Sequence, residues 1–330
     1  MEALLPHFYA AARVEGNRAP RECDCLAHRF GNARDGGERV RRYPSDLTDA
    51  QWAAVRDLLP TPAWMDGRGG RPEGYCHRQI LDAVRYVVDN GVKWAALPAD
   101  YPPFKRVHAF FTRWRDTGLL AEFHDRLRGA VREAEGRNAE PTAAVIDSQS
   151  VKAAANVRSS SRGYDGGKKI NGRKRHLVVD TIGLVLAVLV TPADAGDRAT
   201  AAGMLPALMT TCRRLRRLWG DSGYTGGLAT WAKERFGLAV EIVKRTDDLS
   251  GFRVVPRRWV VERTFAWLMR SRRLARDHET RPDSAEAMIL WSMTMVMSRR
   301  LARRRAARLT PPTPIPTPGW AQARATAAAA

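Results

Sequence analysis

Residues 143–152, Ala143-Ala144-Val145-Ile146-Asp147-Ser148-Gln149-Ser150-Val151-Lys152, run a short apolar segment straight into an acid. Ala143 to Ile146 read as a buried strand opened by Pro141, with Asp147 where that strand ends. The pattern returns at Leu215 to Asp221 (LRRLWGD), a strand-like run ending in an acid and followed by the turn residues Ser222 and Gly223. Two carboxylates at two strand ends lie side by side only when those strands are neighbours in one sheet. A third acid, Glu262, falls in the helical stretch Pro256 to Arg276. Three converging carboxylates on a basic chain suggest two divalent metal ions acting on a phosphodiester.

The basic balance is strong: 55 Lys and Arg against 35 Asp and Glu give +20 over 330 residues. A polyanion is the first partner to consider, although an anionic membrane or an RNA would also fit the charge. The longest apolar run, Leu184 to Val190, is far short of the roughly 20 residues a membrane span needs. The first residues show no basic leader followed by a long apolar core, so the expected location is cytoplasmic, on the nucleoid. Four cysteines, Cys23, Cys25, Cys76 and Cys212, are too irregularly spaced for a disulfide framework. Cys23, Cys25 and His28 could begin a zinc site, but no second ligand pair has fitting spacing, and free thiols are expected.

Residues 1–41 have little periodicity and read as a poorly ordered leader. A helical domain is expected over 42–138. Its first helix starts near Thr48, with Gln51 in capping-box spacing, and carries a stripe of Trp52, Val55, Leu58 and Leu59. Pro60 and Pro62 end it, and the run Gly67 to Pro72 forms a basic loop able to lie along phosphates. Further helices are expected at His77 to Asn90, stopped by Gly91, at Phe104 to Arg115 and at Leu119 to Glu133. In the third, Val107, Phe110, Phe111 and Trp114 face a core while Lys105, Arg106, Arg113 and Arg115 face outward. A basic helix among short ones resembles a helix-turn-helix arrangement for double-stranded DNA, against the plainer reading of an amphipathic bundle with solvated charges.

A catalytic domain is expected over 139–303. Between its first strands lies a segment rich in Ser, Gly and basic residues, where Lys168, Lys169, Arg173, Lys174 and Arg175 are close enough to track a DNA backbone. The phosphate-loop pattern of nucleotide-binding proteins is absent, so no nucleotide cofactor is expected. His176 to Asp180 and Leu184 to Val190 form a hairpin, Thr200 to Cys212 a helix, Leu215 to Gly220 a strand, Tyr224 to Phe236 a helix and Ala239 to Val243 a fifth strand. This element order is that of a ribonuclease H-like α/β fold: a mixed five-stranded sheet flanked by helices, preceded by the small all-α domain. In such a sheet the first and fourth strands are neighbours, which brings Asp147 and Asp221 together. Arg258, four residues before Glu262, is placed to hold that carboxylate or a scissile phosphate. Taken alone, Glu262 reads as a helical salt bridge; beside two strand-end aspartates it reads as chemistry. Ser284 to Arg300 reads as a buried or dimer-facing helix, and residues 304–330 as a disordered tail, basic and then rich in Pro and Ala.

These residues resemble the insertion-sequence transposases of the fifth family, within the larger group with an Asp-Asp-Glu triad. The matching pieces are YPSDLTDAQW (43–52), IDSQSVK (146–152), GKKINGRKRHLVVDTIGL (167–184), GDSGYTG (220–226) and RRWVVERTFAWL (257–268). The resemblance implies a transposase that binds the terminal inverted repeats of its element, cuts at the ends and joins them to target DNA. Asp147, Asp221 and Glu262 would be its metal-binding triad, with two Mg²⁺ ions per site and Mn²⁺ as a substitute. A Tyr-Arg-Glu-Lys signature common in this group is met here by Arg258 and Glu262. Val255 stands at its Tyr position and Met269 at its Lys position, with Arg270 one residue later. Ser148, Ser150 and Tyr224 flank the triad and are better explained by hydrogen bonding or packing. Pairing of two DNA ends implies a homodimer on DNA. The alternatives are a metal-dependent endonuclease without strand transfer and an inactive descendant that only binds DNA.

Overall fold

The computed structural model describes residues 25–29, 41–62, 74–243 and 256–309. The basic run Gly67 to Pro72, Cys23, Val255 and the tail beyond 309 lie outside the described residues. Where sequence signals are strong, local structure follows them. Thr48 caps α2 (Asp49–Val55), its hydroxyl accepting from Gln51 N at 3.1 Å. Gly91, with φ +70, stops α3 (His77–Asn90) in the left-handed region that glycine enters without steric cost. Helices α4 (Phe104–Asp116) and α5 (Leu119–Ala134) follow, and a short α1 (Leu26–Arg29) precedes them all.

The sheet has six strands rather than five: β1 (Ala143–Lys152), β2 (Gly163–Asp165), β3 (Ile170–Asp180), β4 (Val185–Pro192), β5 (Arg217–Gly220) and β6 (Ala239–Ile242). The order runs β2-β3-β1-β5-β6, with β4 also beside β3. Setting aside the short β2, this is the ribonuclease H-like order, antiparallel through β4, β3 and β1 and parallel from β1 to β5 and β6. The correction comes from the basic run. Sequence polarity assigns residues 153–175 to a loop, whereas β1 continues to Lys152 and β3 begins at Ile170, so nine residue pairs of β1 and β3 are in register. Main-chain pairing is indifferent to side-chain charge when the side chains have partners of their own.

Alternation along β1 divides the core. Ala144 and Ile146 join Val178 against α6 (Asp197–Thr211) and α7 (Leu228–Phe236) on one face. Val145 joins Leu177 and Val179 on the other, against α8 (Pro256–Leu268) and α9 (Pro282–Leu309). The same core continues into Val84, Trp114, Phe123 and Leu127 of α3, α4 and α5. The helical region and the sheet therefore share one apolar interior, with α9 between them.

Of the two readings of the last helix, buried or dimer-facing, burial within the chain is the one found. Met288, Ile289, Trp291, Met293, Met295 and Met297 are buried within the single chain, with Trp291 stacked near Trp114 at 6.1 Å between ring centroids. Glu286 on α9 accepts from Val190 N of β4 at 2.9 Å, and burial pushes its carboxyl from the ordinary 4.5 up to about 7. The folded protein thus holds this proton more tightly than the unfolded chain. Its contribution is fully present below pH about 4.5 and is lost as pH rises through about 7. Glu286→Gln keeps an acceptor without a charge. Denaturant midpoints measured across this range should move in favour of the variant as pH rises; a constant difference would refute the assignment.

Candidate active site

The parallel register of β1 and β5 ends at Val145 beside Trp219. Asp147 and Asp221 each lie two residues further along, and with a side-chain period of two both fall on the face that Val145 presents to α8. β1 itself runs on past Asp147, paired with Leu177 of β3; it is the pairing with β5 that ends before the acid. Gly220 permits the tight turn after β5, since a Cβ there would meet Tyr224 at 2.8 Å and Ile146 at 3.2 Å. Asp221 caps that turn, its Oδ1 accepting from Gly223 N at 2.9 Å.

α8 is held across the turn between β3 and β4. Thr264 donates to Gly183 O at 2.8 Å and Arg263 to Ile182 O at 3.2 Å. With Val261, Phe265 and Leu268 buried, Arg258 is turned toward the two aspartates, and Glu262 lies beside it one helical turn on. Arg258 Nη2 lies 3.7 Å from Asp221 Oδ2 and 3.8 Å from Glu262 Oε1, so one guanidinium spans two of the three acids. Glu262 is exposed and Arg258 half-buried.

The electrostatics of the pair are uneven. Burial pushes the Asp147 carboxyl up to about 6, and the nearby Asp221 adds to the rise. The Ser148 N–H at 2.7 Å, Arg258 and Lys168 oppose it. Tyr224 is buried beneath, its phenol raised by burial and by the charges of Asp147, Asp197 and Asp221. Among the described residues the three carboxylates do not gather within 4.8 Å of one another, and Arg258 occupies the space between Asp221 and Glu262. The aspartate pair fits a hard cation: its oxygens are the right donors, and it carries like charges that a cation relieves.

Residues 138–297 match the family described as "Transposase DDE domain", and residues 47–124 match "Putative transposase of IS4/5 family". These two matches, one over the sheet and one over the helical region, support an insertion-sequence transposase of the Asp-Asp-Glu type. A curated relative from Burkholderia cepacia, described as a transposase for insertion sequence element IS402, is 30% identical over 139 residues. That alignment takes in 40% of this chain, and the chain spans 65% of the relative's length. A solved structure of the Mos1 strand transfer complex aligns with 74% of this chain and 83% of its own at 13% identity, with a TM-score of 0.26.

In this transposase the basic residues singled out from sequence divide into two sets. Lys168 and Lys169 are exposed on the β2–β3 turn, with Lys168 Nζ 3.5 Å from Ser148 O and close enough to Asp147 to favour its charge. Lys105, Arg106 and Arg113 are exposed along α4, and Arg270 is exposed just past α8. The rest are not placed to meet DNA. Arg173 is fully buried, donating to Ser161, Glu279 O and Thr280 O and pairing with Asp277 at 3.2 Å. Arg175 is buried, donates to Leu274 O at 2.8 Å and has its pKa lowered by burial to about 10. Lys174 donates to Ala195 O at 2.8 Å and lies 3.3 Å from Asp197. Arg115 is tied to the start of α9 through Ser284 at 2.6 Å. A backbone-tracking role for Arg173, Lys174, Arg175 and Arg115 is corrected by these inward partners.

Two further features surround the site. Asp197 is the first residue of α6 and stands 3.6 Å from His176 Nδ1, while His176 is buried and lowered by that burial to about 4. A cleft of about 310 Å³ beside α8 is lined by Arg270, Arg299, Arg300 and Arg303, with Arg263 and Arg300 over the Trp267 ring at 4.9 and 5.3 Å. The arginine run at the end of α9 signals the second feature; nothing local in the sequence signals the first. Among the described residues no helix is long and apolar enough to cross a membrane.

Proposed function

We propose that this transposase binds the terminal inverted repeats of its element, cuts the DNA ends by metal-dependent hydrolysis and joins the freed 3′-hydroxyls to target DNA. The observation that carries the reading is the convergence of Asp147, Asp221 and Arg258, with Glu262 beside Arg258, from three separate elements where the pairing of β1 and β5 ends. Asp147 and Asp221 would hold the metal, Mg²⁺ or Mn²⁺ at two ions per site, with Glu262 completing the set. Bound there, such ions polarise a phosphoryl oxygen and ready a water or hydroxyl for attack. Arg258 leaves Glu262 for the phosphate next to the cut, a planar donor fork exchanging one anion for another. Lys168 and the arginine cleft around Arg270 take flanking phosphates, and the exposed edge of α4 with Lys105, Arg106 and Arg113 takes the duplex further away. Two ends must be held at once, so the working form is a homodimer on DNA in the bacterial cytoplasm.

A labelled duplex carrying the DNA that flanks the gene tests this. Wild-type protein with Mg²⁺ or Mn²⁺ should cut at the element's ends and yield strand-transfer products, and a chelator or Glu262→Gln should abolish both. Cutting without transfer, on DNA lacking the repeats, would make the protein an endonuclease. Binding of the ends with no cutting by either protein would make it a DNA-binding descendant.

A further inference from the structure

Cys25, His28 and Cys76 come together at the start of α3, far from the carboxylate site in the fold's element order. Their ligand atoms all lie within 4.8 Å of one another, with Cys25 Sγ 3.2 Å from His28 Nδ1. Four-coordinate zinc, with Zn–S near 2.3 Å and Zn–N near 2.0 Å, separates neighbouring ligand atoms by roughly 3.5–3.8 Å. The observed spread fits that geometry with adjustments smaller than a rotamer change.

The setting suits a structural ion. Cys25 and Cys76 are buried and His28 is half-buried. Cys25 and His28 stand three residues apart across the single turn of α1, which points both toward one side. Cys76 is the N-cap of the 14-residue α3, next to the partial positive charge of the first helix N–H groups. α1, with its four residues, is too short to hold its place by helix formation.

We propose that Cys25, His28 and Cys76 bind one Zn²⁺, which pins the segment around α1 to the first turn of α3. Three protein ligands leave a fourth position for water or for a residue outside those described. The role is structural: the ion holds α1 against the first turn of α3, and its coordination free energy is folding free energy for that corner. It needs no part of the carboxylate chemistry, so it stands whether or not the cleavage reading does.

Full-length protein purified without chelator should carry close to one zinc per chain by elemental analysis. Asp147→Asn and Cys212→Ser should keep it, which separates this site from the carboxylates and from the remaining described thiol, while Cys76→Ser and His28→Ala should lose it. Exchange with Co²⁺ should give the thiolate charge-transfer band and the intense visible bands of a four-coordinate centre. That spectrum is read on wild-type protein, so it decides the matter even where a variant fails to fold. Wild-type protein without zinc and without the charge-transfer band would overturn the proposal. So would zinc retained by Cys76→Ser, or a disulfide between Cys25 and Cys76 found in protein kept under reducing conditions.

Discussion

Asp147→Asn should leave the protein folded, equal to or above wild type in thermal stability, and at least ~10³-fold slower in cleaving transposon ends. Both halves follow from one environment. Burial and the neighbouring Asp221 push the Asp147 carboxyl up to about 6, so at neutral pH the fold keeps a charge that it disfavours. An amide of the same shape removes that cost, the usual balance at a site where function is held against stability. The same charge is what a hard cation needs. Losing several kcal/mol of transition-state stabilisation, about 4 or more, corresponds to ~10³ in rate at 1.36 kcal/mol per tenfold. Melting temperature and single-turnover cleavage measured on one preparation give the answer. A destabilised variant, or one that cuts at the wild-type rate, would remove Asp147 from the catalytic set.

Arg173→Ala should do the reverse. Its guanidinium is fully buried and satisfies the buried Asp277 and Glu279 carbonyl, together with the carbonyls of Ser161 and Thr280 and the Ser161 hydroxyl nearer the surface. Deleting one partner of a buried pair leaves the other charge uncompensated and costs about 3–5 kcal/mol. Arg173→Lys should recover little, because a single ammonium cannot reproduce the five-donor fork. Urea midpoints read the effect. If Arg173→Ala instead folds like wild type and lowers the salt dependence of DNA binding by about one counterion, the side chain is a phosphate contact after all.

The contrast between these two residues marks what can be read from sequence. Asp147 and Asp221 are legible because strands announce themselves locally: each acid closes a short strand-like run, and a turn follows the second. Their adjacency required only the element order, and β1 beside β5 bears it out. The basic run was misread for the opposite reason. Nothing near Arg173 shows that Asp277, about a hundred residues on, will return to neutralise it, or that the Glu279 carbonyl will accept from it. A charge without a visible local partner reads as solvated, and a solvated run reads as loop. Arg115, paired through Ser284 of α9, and the Cys25, His28 and Cys76 cluster were hidden by the same distance along the chain. The exposed row Lys105, Arg106 and Arg113 was legible because amphipathic period alone separates it from Val107, Phe110 and Trp114.

α9 packs its apolar residues against helices from the beginning of the chain and against the sheet, so it is shared by both. On the ribosome this reverses the usual order in which an N-terminal unit closes first. The helices up to Ala134 wait for Pro282–Leu309 to emerge, an interval of roughly 10–30 s at ~5–20 residues per second. Until then their apolar faces have no cover. A chain cut short before α9, by a frameshift or a stop codon, leaves no half that folds by itself, and so no fragment able to sit on the element's ends and block an intact copy.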